Sequence, residues 1–323
     1  MRKEKSILGV DFGGTRIKIG VVDAKGRILC RSGLDVQGRW SWKKLTEVLV
    51  ETLETLLQDR GIPKKSLLGL GMGLPGLIDF KRGVVHHLVN VRGWKDLPFA
   101  SILRRKIQLP VFIDNDVNLM ALGEATYGAA RGFSEVVCIT LGTGVGGGLL
   151  FNGELYRGAS YTAGEIGHIP VSRKGPLCGC GSRGCFETYV GNHRIVRQAK
   201  ERIRSGERSI VPEMIGGKLE RLTPEVLSRA ARKGDRMALS IWREVGEWVG
   251  MALAGVVNTY NPDRIVIGGG VAEAGEVLFR SIRQTLKKRA LSIPLKHLHV
   301  VKAKLGNDAG IIGAAVLARR SLQ

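Results

Sequence analysis

The sequence has no long uninterrupted run of apolar residues. Its longest apolar segments, residues 67–70 and the glycine-interrupted residues 249–257, are too short to span a bilayer. The first residues are basic and lead into a strand-like segment instead of an apolar segment with a cleavage site, so no secretion signal is predicted. The composition also excludes collagen, coiled coils and disordered polymers. We therefore expect a globular protein of the cytoplasm with no membrane partner.

Acidic residues are scarce, with 29 Asp and Glu against 50 Lys and Arg, which gives a net charge of +21. A charge of this size can indicate nucleic-acid binding. Aromatic residues are also few, however, and no basic run is interleaved with them as in a single-strand binder. Basic runs at residues 104–106 and 287–289 fit helix C-termini, where cations are favourable. We therefore interpret the charge as helix-surface charge and expect no nucleic-acid partner.

Cysteine is limited to five residues, and two of them, Cys30 and Cys138, lie in strand-like segments as small core residues. The others fall within eight positions and follow a histidine in a glycine-rich loop. Together these side chains provide three thiolates and one imidazole: His168, Cys178, Cys180 and Cys185. Such a set forms a closed tetrahedral zinc shell without an open position for a catalytic water. We predict a structural Zn²⁺ that stabilises the loop.

The pattern of apolar segments predicts an α/β fold. A length of 323 residues suggests about two domains. A hairpin is predicted from residues 7–10 and 17–22, and strands and helices then alternate. Further strands are predicted at residues 67–72, 111–113, 136–141, 145–151, 264–267 and 299–303. Helices are predicted at residues 45–57, 116–127, 187–204, 223–233 and 236–259, and from residues 275 and 308.

Glycine is abundant and clusters at three places. Two clusters, residues 11–15 and 141–148, lie between consecutive strand-like segments, where glycines let backbone N–H groups approach a phosphate. The first is also compatible with an ordinary tight hairpin. The second lacks the lysine of a P-loop and does not open a helix as a dinucleotide-binding fingerprint must. The third, residues 268–270, follows a strand and leaves room for an adenine or ribose.

Acidic residues follow the strand at residues 111–113. In α/β folds, ligands bind at the C-terminal ends of strands, so the Asp114-Asn115-Asp116 segment is a candidate for a general base that accepts a proton from an attacking hydroxyl. Asp116 is equally suited to be the N-cap of the next helix, a role compatible with the first. Asp11, at the end of the first strand, could hold Mg²⁺ through water.

These motifs, in this order, resemble the ROK family (repressors, open reading frames and sugar kinases), and within it the bacterial ATP-dependent glucokinases. The segments that carry the resemblance are residues 11–15, 115–116, 141–144, 164–168 and 178–187. The cysteine segment is highly specific, whereas the glycine turns occur throughout the actin/hexokinase/Hsp70 superfamily. The resemblance implies a two-lobed ribonuclease H-like fold with a cleft between the lobes. Residues 1–117, completed by a C-terminal helix at about 307–323, would form one lobe and residues 118–306 the other.

The resemblance also implies a role for each motif, with ATP and Mg²⁺ as cofactors beside the structural Zn²⁺. Asp116 would be the catalytic base for the 6-hydroxyl of glucose, and Asp114, where the family often has Glu, would support it. The residues that would bind the sugar are Gly76, Asn115, Asp116, Glu165, His168 and Glu187. The residues that would bind the nucleotide are Asp11, Gly13, Gly14, Thr15, Lys18, Gly142, Thr143, Gly144, Gly269 and Gly270.

The resemblance leaves two alternatives open. Kinases for fructose, mannose, N-acetylglucosamine and N-acetylmannosamine share these motifs, so the preferred hexose is undecided. Sugar-sensing regulators also belong to the family, but they carry a DNA-binding domain before the sugar-binding part, and the hairpin here begins at about residue 7. We therefore expect a kinase. The family also implies a homodimer or homotetramer.

Overall fold

The computed structural model describes residues 5–13, 16–36, 41–88 and 93–323. The strands are β1 Ser6–Phe12, β2 Arg16–Val22, β3 Ile28–Asp35, β4 Leu67–Leu74, β5 Gly76–Asp79, β6 Val84–Leu88, β7 Lys95–Leu97, β8 Val111–Asn115, β9 Val136–Leu141, β10 Val145–Phe151, β11 Glu154–Tyr156, β12 Arg264–Gly268 and β13 His299–Lys302. The helices are α1 Trp42–Asp59, α2 Phe99–Ile107, α3 Asp116–Tyr127, α4 Glu187–Val190, α5 Asn192–Arg204, α6 Val211–Met214, α7 Pro224–Arg232, α8 Arg236–Tyr260, α9 Glu276–Arg289, α10 Ser292–Leu295 and α11 Ala309–Ser321.

The chain divides into two compact units, and the first contains residues 1–132, 148–163 and 304–323. Its main sheet has the order β3-β2-β1-β4-β8, in which β1, β2 and β3 pair antiparallel and β1, β4 and β8 pair parallel. The predicted hairpin is therefore confirmed. Apolar side chains bury β1 and β4 almost completely, as expected for strands covered on both faces.

The second unit contains residues 133–147 and 164–303, and the boundary between the units falls within β10. The sheet that includes β9 has the order β11-β10-β9-β12-β13, with β12 parallel to both β9 and β13. This order repeats that of the first sheet, strand for strand. The two glycine-turn hairpins noted in the sequence thus belong to a duplicated α/β architecture.

Helix α11 completes the first unit by packing against β1, β4 and α3. Backbones approach closely there, because a Cβ added at Gly71 would overlap the carbonyl oxygen of Ala314 and one added at Gly313 would overlap that of Leu119. The C-terminal helix therefore returns to the first unit, as the family resemblance implies. Because α3 packs on α11, the unit boundary lies after residue 132 and not at residue 117.

Some strands and helices were not predicted from the sequence. A separate sheet of order β5-β6-β7, together with β3 and β11, lies in short segments without clear periodicity, and of α2 only the basic last turn was expected. The helix predicted over residues 187–204 is divided into α4 and α5, since Gly191 adopts an extended conformation between them. Within the described ranges, no helix is both long and apolar enough to cross a membrane.

The packing of α11 on β4 gives a stability prediction. Gly71→Ala forces a methyl group against the α11 backbone, and we expect it to lower the free energy of unfolding by about 1–3 kcal/mol. The control is Gly255→Ala on an exposed position of α8, where an added Cβ meets nothing within 4 Å. Because alanine favours helix, the control should be neutral or slightly stabilising. Chemical unfolding followed by circular dichroism measures both, and equal stability of the two variants would contradict this packing.

Candidate active site

The junction between β8 and α3 positions the candidate general base. The side-chain oxygen of Asn115 accepts hydrogen bonds from the backbone N–H groups of Val117 at 2.9 Å and Asn118 at 3.2 Å, so Asn115 is the N-cap of α3. The suggestion that Asp116 is the N-cap is therefore wrong. Asp116 occupies the first helical position instead, partly buried, and its side chain accepts from Val117 N–H at 3.0 Å.

Asn115 also connects this junction to Gly76, another residue expected to bind sugar. Its Nδ2 donates a hydrogen bond to the Gly76 carbonyl oxygen at 3.3 Å. Gly76 begins β5, directly after the strand β4 that pairs with β8. The structure therefore brings Gly76, Asn115 and Asp116 together at the C-terminal ends of two parallel strands, where α/β folds bind ligands.

Asp114 supports this junction from inside the unit. Its side chain is only 2% exposed and accepts hydrogen bonds from the backbone N–H of Asn115 at 2.8 Å and from Asn118 Nδ2 at 3.1 Å. Arg157 forms an ion pair with the same carboxylate at 2.6 Å. A buried charge is tolerated only when it is paired and hydrogen-bonded, and here both conditions hold. The expected supporting role of Asp114 agrees with these contacts.

The first glycine turn joins β1 to β2. Asp11 and Lys18 are partners in the register of these strands, and Lys18 Nζ lies 3.2 Å from the Asp11 carboxylate. Gly13 donates its N–H to the Arg16 carbonyl oxygen at 3.0 Å, whereas Gly14 and Thr15 lie outside the described residues.

One carboxylate beside a candidate phosphate-binding turn matches the few protein ligands and several waters that Mg²⁺ prefers. Asp11 provides that carboxylate. It packs against the first turn of α11, where a Cβ at Gly310 would overlap it. The donor set therefore fits a magnesium ion held mainly by phosphate and water.

The predicted zinc ligands converge in the second unit. The ligand atoms of four side chains all lie within 4.8 Å of one another: His168, Cys178, Cys180 and Cys185. Cys178 Sγ is 3.6 Å from His168 Nδ1, and Cys180 Sγ is 3.7 Å from Cys185 Sγ. Tetrahedral zinc with its usual bond lengths separates two sulfurs by about 3.8 Å and a sulfur from a nitrogen by about 3.5 Å. The geometry therefore fits Zn²⁺ bound through Nδ1 of the histidine.

The pKa values of the thiols in this cluster show that zinc must displace protons when it binds. Burial raises the pKa of Cys178 to about 12 and also raises that of Cys185. A hydrogen bond from the Ser182 backbone lowers the pKa of the exposed Cys180. At neutral pH the buried thiols are protonated without a cation, so metal binding displaces protons and weakens as the pH falls.

Two carboxylates flank the histidine of the cluster. His168 Nε2 lies 3.8 Å from Glu165, and its Nδ1 lies 3.8 Å from Glu187. Glu187 also accepts a hydrogen bond from Cys178 Sγ at 3.0 Å, and it begins α4, which is anchored by the stacking of Tyr189 on Trp248 at 4.1 Å. If Nδ1 binds zinc, the N–H group at Nε2 can donate a hydrogen bond to a ligand. The three side chains form a polar group suited to sugar hydroxyls.

The remaining glycine motifs also lie in the second unit, and the turn after β9 approaches Glu187. Gly142, Thr143 and Gly144 form the turn between β9 and β10, and a Cβ at Gly144 would lie 3.0 Å from the Glu187 carboxylate. Gly269 has a φ of 84° and packs so tightly on Leu141, the residue before the turn, that a Cβ would overlap it. Gly270 is exposed with open space around it. The structure therefore places the second and third glycine motifs side by side.

Several residues that contact Asp114, directly or through a neighbour, were not predicted from the sequence. Arg157 and Asn118 contact its carboxylate, and the Arg157 guanidinium stacks over the Phe80 ring at 3.9 Å. Arg157 is 43 positions from Asp114, and no spacing rule connects them. Asn118 follows Asp114 by four positions, which is a local signal that could have identified it.

The chain matches the model of the ROK family over residues 7–321. It is 37% identical to a glucokinase of Halalkalibacterium halodurans over 97% of this chain and 94% of that protein. Among solved structures it matches a ROK family glucokinase from Streptomyces griseus in complex with glucose and AMPPNP, with a TM-score of 0.85, 34% identity and coverage of 98% and 99%. It also matches a ROK family transcriptional regulator, a homologue of the E. coli Mlc protein, with a TM-score of 0.89, 27% identity and coverage of 99% and 79%.

Zinc content tests the cluster directly. Protein purified without chelator should contain about one zinc ion per chain, retained at neutral pH and lost on acidification as the thiolates take up protons. Cys185→Ala should lose most of the metal, and Cys30→Ala, which removes a thiol outside the cluster, should retain it. Elemental analysis at several pH values measures this. Zinc-free wild-type protein would exclude the assignment.

Proposed function

Because the chain belongs to the ROK family, we propose that it is an ATP-dependent hexose kinase that transfers the γ-phosphoryl group of ATP to the 6-hydroxyl of glucose. The observation that carries this proposal is the placement of Asp116 at the first position of α3, beside the capping Asn115 and the supported Asp114. A carboxylate held in this way can take the hydroxyl proton as the phosphoryl group is transferred.

In this proposal the sugar is held by amide, imidazole and carboxylate groups. Asn115, with the Gly76 backbone, orients the sugar near the base. Glu165, His168 and Glu187 hydrogen-bond other hydroxyls; bound zinc would fix the orientation of His168, and Glu187 lies beside that histidine at the start of α4. Zinc thus has a structural role, because its four protein ligands complete a tetrahedral shell.

The nucleotide is assigned to the glycine motifs. The groups that bind phosphates are Gly13, Gly14 and Thr15 of the first turn, Lys18 of β2, and Gly142, Thr143 and Gly144 of the second turn. Gly269 and Gly270 accommodate the adenosine. Mg²⁺, held through water by Asp11, would neutralise charge on the transferring phosphoryl group when bound. Most of the rate acceleration in phosphoryl transfer comes from such positioning and electrostatic stabilisation.

Glucose is the proposed sugar, with fructose, mannose, N-acetylglucosamine and N-acetylmannosamine as alternatives. Discrimination among them depends on whether buried polar groups are left unpaired by the wrong sugar. By the same family resemblance we propose a cytoplasmic homodimer or homotetramer, which sedimentation analysis would measure.

A sugar-sensing regulator is the second candidate, because the chain also matches a ROK transcriptional regulator. A sensor needs sugar-binding groups but no general base and no phosphate-binding turn. The Asp11 turn and the position of Asp116 therefore favour the kinase. A sensor would bind hexose with no ATP turnover, which separates the two candidates experimentally.

Replacement of the base tests the mechanism. Asp116→Asn should retain sugar binding, because the amide still forms hydrogen bonds, but lose about 10²–10⁴-fold in kcat. Asp59→Asn, at an exposed carboxylate at the end of α1, is the matched control and should turn over like the wild type. Coupled ADP-release assays and calorimetric sugar titrations measure both properties. Near-normal turnover of Asp116→Asn would remove Asp116 from the role of base.

A further inference from the structure

Tyr161 has a backbone conformation that bulky residues rarely adopt. Its φ is 62°, in the left-handed region, and it lies in the segment that follows β11 in the first unit. Aromatic residues avoid this region because of steric clashes, and such strain persists only where the surroundings hold it. The contacts of Tyr161 therefore indicate what maintains this conformation.

The Tyr161 ring is the first member of a stack of side chains. It packs edge-on against the Phe80 ring, with the centroids 5.2 Å apart and an interplanar angle of 85°. The Arg157 guanidinium lies over the same Phe80 ring at 3.9 Å, within cation–π distance. Phe80 directly follows β5, the strand that begins at Gly76. The stack thus connects the Tyr161 segment to the strand that carries a candidate sugar-binding backbone.

Arg157 connects this stack to the buried carboxylate. Its Nε and Nη2 donate to one oxygen of Asp114 at 2.8 and 2.6 Å. The other oxygen accepts from the backbone N–H of Asn115 and from Asn118 Nδ2. Because the Arg157 side chain is 14% exposed and that of Asp114 is 2% exposed, solvent screens the pair weakly.

We propose that Arg157 is a positioning residue for the Asn115–Asp116 pair, and that Phe80 and the strained Tyr161 hold its guanidinium in place. Without Arg157, the buried Asp114 carboxylate has no compensating cation in this ion pair and must rotate toward solvent or take up a proton. Rotation releases the Asn115 N–H and Asn118 Nδ2, and protonation on Oδ2 leaves Oδ1 a weaker acceptor for both donors, so in either case the first turn of α3 is held less firmly. The catalytic consequence rests on the proposed kinase function, whereas the ordering of α3 does not.

The first test replaces the arginine. Arg157→Met should lower kcat by roughly 10- to 100-fold, since small misplacements of a base have large effects on rate. The KM for ATP should stay unchanged, because the Arg157 side chain contacts Asp114, Leu155 and Phe80, which are not among the residues assigned to the nucleotide. The kcat of Arg157→Lys should lie between those of the wild type and Arg157→Met, because lysine keeps the positive charge but not the planar guanidinium. Arg320→Met, at an arginine on the surface of the same unit that pairs with Glu154, is the matched control and should match the wild type.

The second test uses the strained backbone. Tyr161→Gly relieves the positive φ but removes the ring from Phe80, so we expect an unchanged melting temperature together with a kcat lowered by about 10-fold. Gln108→Gly relieves a φ of 53° at the C-cap of α2 without touching the stack. It should leave kcat unchanged. Equal kcat values for wild type and Tyr161→Gly would contradict the role of Tyr161, since a purely structural residue would change stability and not rate.

Amide hydrogen exchange reads the ordering of α3 without requiring turnover. In Arg157→Met the amides of residues 115–120 should exchange faster than in the wild type, and those of α5 should be unchanged. If these amides exchange in Arg157→Met at the same rate as in the wild type, the proposal is overturned, whether or not the enzyme is active. If the wild type turns over no hexose while exchange accelerates in Arg157→Met, the kinase function fails and the positioning of α3 by Arg157 stands.

Discussion

The position of the candidate base depends on the compensation of a buried negative charge, that of Asp114. Asp114 lies at the end of β8 with its carboxylate almost fully enclosed, so its oxygens must be satisfied by protein donors. Those donors come from the next residue, from the first turn of α3 and from Arg157 beyond β11. The same contacts fix where α3 begins and therefore where Asp116 lies. The Asp114 carboxylate on β8 therefore connects this strand to α3 and to Arg157 beside the candidate base.

In the proposed enzyme, zinc would have the corresponding role in the second unit. Its candidate ligands lie in a loop with little regular structure, so a bound ion would fix the orientation of His168 beside Glu187. The cluster lies beside the Gly142–Gly144 turn, since the Glu187 carboxylate approaches Gly144. A structural metal would therefore set the geometry of the candidate sugar-binding histidine, and close backbone packing at glycines sets that of the candidate nucleotide-binding turn.

Local signals in the sequence were sufficient for most of this structure. The limits of α3 and β10 follow from apolar patterning, and the zinc ligands follow from cysteine spacing. The N-cap was misassigned to Asp116 because Asn and Asp are equally good caps and only the backbone geometry of Asn115 decides between them. The Asp114–Arg157 pair could not be predicted, because tertiary packing alone brings residues of such different sequence position together. For the same reason, the overlap of Gly71 with α11 was not apparent in the sequence.

The most direct test of the kinase assignment is ADP release by the purified protein with Mg²⁺ and ATP, across a panel of hexoses and N-acetylhexosamines. We expect release that depends on sugar and is strongest with glucose. Strongest release with another hexose would retain the reaction and change the substrate. No release with any sugar, from protein that contains zinc and binds hexose, would contradict the kinase assignment and support a sugar sensor.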